Sequence, residues 1–171
     1  LTIAALKQAV DMWKTENRGD YFVGDAAYGF WLQWLRDVEA GKVQDPKVGM
    51  QGNGWCFDVL IHSRRIAGTW LNQTADDFTG ETAKQLHIAA DHYSQIAKES
   101  MKNIKSSWDL APSPKQFDAW TSQMRQEQIA RLESAREHDR AAIEAITRAL
   151  AAEEEKASKS PVISSTKSKQ P

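Results

Sequence analysis

Residues 55–71 read WCFDVLIHSRRIAGTWL, and the placement of this run decides the fold. Its apolar side chains (Trp55, Phe57, Val59, Leu60, Ile61, Ile66, Ala67, Trp70 and Leu71) do not keep to one side of a helix. They do not alternate as a strand would either. A helix that is apolar nearly all round is ordinarily a buried one. The run therefore predicts a third helix, from Trp55 to near Phe78, at the centre of a helical bundle, with Thr79-Gly80 ending it.

Upstream, Pro46, Gly49, Gly52 and Gly54 mark residues 42–54 as a loop. Before that loop, Asp25 is placed to cap a second helix whose face is Ala27, Phe30, Trp31, Trp34, Leu35 and Val38, closed by Gly41. Asn17-Arg18-Gly19-Asp20 separates it from a first helix. There Ile3, Leu6, Val10 and Trp13 follow steps of three, four and three, with Thr2 as N-cap.

Downstream, a fourth helix carries Leu86, Ala89, Ala90, Tyr93, Ile96, Ala97, Met101, Ile104 and Trp108 on one stripe until Pro112 stops it. Ser113-Pro114-Lys115-Gln116 forms a start signal of cap, first-turn proline and capping box. It opens a fifth helix running to about Lys156. The apolar seam of that helix is interrupted by Arg136 and Asp139, poor core residues that predict a bend, a break or a crossing through solvent. The chain thus divides into a helical bundle core over 1–111, a long C-terminal helix over 112–157 and a disordered tail over 158–171. The fold class is all-α, a bundle of four to five helices.

Composition narrows the function classes. The 171 residues hold only 9 Gly and 5 Pro, too few for the repeated turns of a sandwich or barrel. A formal net charge of −1 removes the usual argument for nucleic-acid binding. No apolar run approaches the roughly 20 residues of a membrane span. The single Cys allows neither an internal disulfide nor a Cys-based zinc site, and with no secretory signal pattern it points to the cytoplasm. Seven Trp are expected to supply much of the core volume. Leu1 already falls in a helical pattern, which reads as a fragment, a processed product or an alternative start codon.

Candidate chemistry is sparse. Cys56, near the predicted start of a helix, is the one thiol nucleophile, and only His87 or His92 are placed to serve it as base through tertiary packing. A lone Cys between Trp55 and Phe57 reads first as core packing. His87 and Asp91, four residues apart, read as a surface pair. Arg64-Arg65 in so apolar a helix needs a counter-charge. An internal ion pair with an acid on a neighbouring helix comes first, and an anion or interdomain contact second. Lys98, Lys102 and Lys105 read as a solvated face. No phosphate loop, Ser-His-Asp signature or HExxH motif occurs, so neither cofactor nor metal is assigned.

One resemblance runs through these blocks. Tyr21-Phe22-Val23-Gly24, Ala27-Tyr28, Trp31 and Leu35 form the first. Asn53, Trp55-Cys56-Phe57, Leu60, Arg64-Arg65, Ala67 and Leu71 form the second, and Leu86, Ala89-Ala90, Tyr93, Asp139-Arg140 and Ala142-Ile143 follow. In order and spacing, over roughly residues 4–150, they resemble the helical C-terminal half of bacterial proteins related to the butirosin-biosynthesis acyltransferase. The chain departs from that pattern at Gly54 and Gly68. The resemblance implies a papain-like cysteine domain, akin to bacteriocin-processing peptidases, preceding the helical half in the same chain. It implies no catalytic residue here and a non-catalytic accessory role. Self-association through the C-terminal helix is the alternative, and thiol chemistry at Cys56 a further one.

Overall fold

The computed structural model describes residues 2–159 and shows an all-α bundle with a long last helix. The predicted tail from position 160 onward, and Leu1, lie outside the described residues. The helices are α1 (Thr2–Lys14), α2 (Gly24–Glu39), α3 (Lys47–Ala75), α4 (Glu81–Ser100) and α5 (Ser122–Lys159). Two 3₁₀ turns, Ser107–Asp109 and Pro114–Ala119, bridge α4 and α5. Between α1 and α2 the Asn17–Asp20 breaker is the tip of a two-stranded hairpin, β1 (Asn17–Arg18) against β2 (Tyr21–Phe22), pairing Asn17 with Phe22.

Helix α5 is the mast. It packs along α4, α2 and α1, and Leu132, Ile143, Ile146 and Leu150 are buried in those contacts. Ala135, Ala142, Ala145 and Ala149 are buried too, small enough to let neighbouring helices come close. The helix runs unbroken through Arg136 and Asp139, so the expected bend or solvent crossing is absent. Both residues are supplied with partners from α2 and α3, which removes the reason to break. Its apolar seam is covered within the chain, and Ser158 is still helical.

Three boundaries differ from the sequence reading for identifiable reasons. Asp25 does not cap α2; Val23 occupies that position, and the Asp25 carboxylate is held by Arg136 and Arg140. Helix α4 ends at Ser100 because Asn103 turns into the left-handed region at φ 60° and Ser106 with Asp109 builds a capping box for a separate turn. The Ser113-Pro114 signal opens a 3₁₀ turn, and the long helix starts after Thr121, whose hydroxyl accepts from Met124 N–H at 3.3 Å.

The largest correction concerns the glycines before Trp55. Residues 47–54 are helix, not loop, and the glycines are seats for rings. A Cβ at Gly49 would lie 2.3 Å from the Trp34 indole, and one at Gly54 2.3 Å from the Trp108 indole. At Gly68 it would lie 2.6 Å from Ser94 Oγ, so this residue sets the close approach of α3 and α4. The two departures from the family-like pattern are therefore packing requirements. Helix α3 is also not central. It packs chiefly on α4 and the 3₁₀ turns, and it leaves Trp55, Val59, Ile66 and Trp70 exposed. Of the seven tryptophans only Trp120 is fully buried. Phe57, Met50 and the Leu and Ile side chains of all five helices make the core.

These seats predict opposite outcomes for two neighbouring glycines. Gly52 has no atom within 4 Å of a would-be Cβ. Gly52→Ala should therefore raise the unfolding free energy by roughly 0.5–1 kcal/mol through helix propensity. Gly54→Ala should lower it by about 1–3 kcal/mol through overpacking against Trp108, as read from urea midpoints.

Candidate functional site

The fold does not join Cys56 to His87 or His92 by a hydrogen bond among the described residues. Cys56 is exposed on α3, not packed in the core, and it makes no hydrogen bond to an imidazole among the described residues. Partial burial pushes its thiol pKa up, away from a reactive thiolate. His87 Nδ1 lies 2.8 Å from Asn72 Oδ1. Asn72 is sixteen residues beyond Cys56 on the same helix, about 24 Å along its axis. His92 Nδ1 meets His138 Nδ1 at 2.9 Å, across the α4–α5 contact. The three candidates are thus dispersed. Among the described residues no three His, Cys, Asp or Glu side chains gather as a metal site.

The arginine pair is divided between two environments. Arg64 turns inward, as the ion-pair reading expects: its Nε and Nη2 donate to Asp139 at 2.6 and 2.8 Å. The Tyr28 hydroxyl donates to the same carboxylate at 2.7 Å, and the Arg64 guanidinium lies 5.3 Å from the centre of the Tyr93 ring. Asp139 is only 1% exposed. Burial and then the Asp139 charge push the Tyr28 hydroxyl far above its ordinary pKa, while burial first and Asp139 second bring Tyr93 to about 12. The group is a structural network centred on the buried Asp139 carboxylate, with Arg64 half-buried at its edge.

Arg65 stays outside, its Nη2 3.1 Å from His62 Nδ1. It lines a cleft of about 510 Å³ between α3 and α4 together with His62, Asp58, Lys98 and Lys105. A second cleft, about 880 Å³, is lined by Trp13, Lys14, Asp25, Arg140 and Arg148. There the hydrogen bonds of Arg136 and then Arg140 hold the Asp25 carboxyl far below the usual carboxylate range, against the opposing effect of burial. Asp25, Asn53, Gln128 and His138 had no signal in the sequence as functional partners. Asp25 and Arg136 are 111 positions apart, and Asn53 and Gln128 are 75 apart, so only tertiary packing joins them.

What remains outward is apolar. On α3, Val48 (80% exposed), Trp55 (56%), Val59 (56%), Ile66 (66%) and Trp70 (41%) form one line. At 3.6 residues per turn these five positions fall within about 60° of one another, on the side of the helix opposite Phe57, Gly68 and Leu71. A smaller patch lies at the hairpin, where Phe22 and Phe30 stack with ring centres 4.9 Å apart beside exposed Tyr21. These are the large apolar side chains that the bundle leaves exposed on α3 and at the hairpin. No protein-family model, curated protein or solved structure matches the chain. Among the described residues no helix is long and apolar enough to cross a membrane.

Two outcomes follow from the polar groups. Asp139→Ala strands Arg64 and the Tyr28 hydroxyl, and should lower stability by about 3–5 kcal/mol. The triple change Tyr28→Phe, Arg64→Met, Asp139→Leu should cost clearly less, which equilibrium denaturation of both proteins would show. For His92, burial and then the His138 ring lower the pKa below the ordinary 6.5. The unfolded chain then binds more protons than the native one as pH falls through the histidine range, so stability must fall with it. The urea midpoint should drop between pH 7.5 and 5.5, and His92→Gln should flatten that drop.

Proposed function

We propose that this chain is a non-catalytic helical accessory module that works by protein–protein contact. The observation that carries the reading is the outer face of α3, a line of five exposed apolar side chains on a helix whose inner face is already packed. A soluble bundle has no internal use for a second apolar stripe on one helix, and covering it removes apolar area from water. The separation of Cys56 from His87 and His92 supports the same reading, because nucleophile and base must come within hydrogen-bond reach. The resemblance to the helical half of butirosin acyltransferase-related proteins adds that the chemistry would belong to a cysteine domain, which this module would support by packing or by shaping a substrate cleft.

The test is direct. Purified protein and its Cys56→Ala variant should show equal, background hydrolysis of ester, thioester and short peptide substrates. Turnover in the parent protein that disappears with Cys56→Ala would replace this reading with a thiol enzyme.

A further inference from the structure

We propose that the outer face of α3 pairs with a second copy of this chain, the two α3 helices running antiparallel about a two-fold axis that passes between positions 62 and 63. The inference rests on reading that face as a docking surface and names its occupant.

The spacing carries it. Four of the five residues of the stripe, Trp55, Val59, Ile66 and Trp70, are separated by steps of four, seven and four, a pattern identical read in either direction, with Val48 lying beyond it at the start of α3. A two-fold interface demands this property, since residue i must meet j where j meets i. With the axis between 62 and 63, Trp55 lies opposite the partner's Trp70, and Val59 lies opposite the partner's Ile66. Each side of the axis then presents one indole and one branched side chain, and each meets its own kind on the second copy.

The charges agree with that direction. In an antiparallel pair each flank of the stripe faces the same flank of the second copy. Asp58 and Arg65 share one flank, and so do Lys47 at the start of α3 and Asp76 at its end. The two-fold arrangement brings Asp58, whose carboxylate also accepts from Ser107 Oγ at 2.6 Å, within two positions of the partner's Arg65, and Lys47 within two positions of the partner's Asp76. Arg65, Lys47 and Asp76 are exposed and form no ion pair within the chain among the described residues. A parallel pairing would set this flank against the other one, where Cys56, Ser63 and Ala67 carry no charge. Complementary charge thus selects the antiparallel partner.

Sedimentation equilibrium of the full chain at roughly 100 μM should give twice the 19.2 kDa protomer mass. Ile66→Asp should weaken association at least about thirtyfold with an unchanged circular dichroism spectrum, because Ile66 is outside the core. Register is read by cross-linking in a Cys56→Ser background. His62→Cys sits next to the axis and should form a disulfide dimer on mild oxidation. Val48→Cys, far from the axis, should not. A parent chain that stays monomeric overturns the proposal and assigns the stripe to a different protein surface, leaving the non-catalytic reading intact. Efficient Val48→Cys cross-linking with none at His62→Cys overturns the antiparallel arrangement. Cys56-dependent turnover bears on the accessory role and not on the dimer, so the two readings fail separately.

Discussion

A carboxylate 1% exposed in an apolar core cannot persist without donors, and the bundle is organised around meeting that demand for Asp139. Helix α2 delivers the Tyr28 hydroxyl and α3 delivers the Arg64 guanidinium, so one side chain of α5 ties three helices. A second tie, Asn53 with Gln128, joins α3 and α5 with the same separation of 75 residues in sequence. Trp31 Nε1 donates to Asn53 Oδ1 at 2.7 Å, which brings α2 into that tie as well. The two ties lie eleven residues apart along both helices, and together they fix the register of α3 against α5. Hydrophobic contacts alone tolerate a slip of one turn; bidentate polar contacts do not.

That register has a consequence for the surface. Once Asn53 and Arg64 point at α5, the opposite side of α3 can only face outward, and it carries Trp55, Val59, Ile66 and Trp70. The apolar outer stripe is thereby a fixed line on a rigid helix, not a loose patch on a loop. Rigidity of this kind would suit the proposed pairing, because little conformational freedom would be lost on covering the stripe. The same geometry separates the candidate thiol from the candidate bases. It holds Cys56 on one helix, away from the imidazoles that Asn72 and His138 engage.

Helix existence was legible because apolar period and helix length survive any tertiary context. The stripes of α1, α4 and α5 are buried where the period placed them: Leu6 and Val10, then Leu86 to Ile96, then Leu132 to Leu150. Residue-type signals misled wherever one residue answers to two kinds of physics. Gly49 and Gly54 looked like turn formers but are sites of close approach for Trp34 and Trp108, a role set by side chains far along the chain. Arg136 and Asp139 looked like a break in the seam but are paired with Asp25, Tyr28 and Arg64. Cys56 looked like core because its neighbours are aromatic, yet one of those neighbours, Trp55, is itself on the surface.

By itself, then, the amino-acid order determined that the chain is helical, roughly where its helices lie, and that the Arg64-Arg65 pair in so apolar a helix calls for a counter-charge. These follow from local periodicity and from the cost of burying an unpaired charge. It could not determine which side of α3 meets the bundle, since both sides are apolar. Tertiary structure decided that, through polar ties spanning 75 and 111 positions whose geometry exists only once the helices are packed.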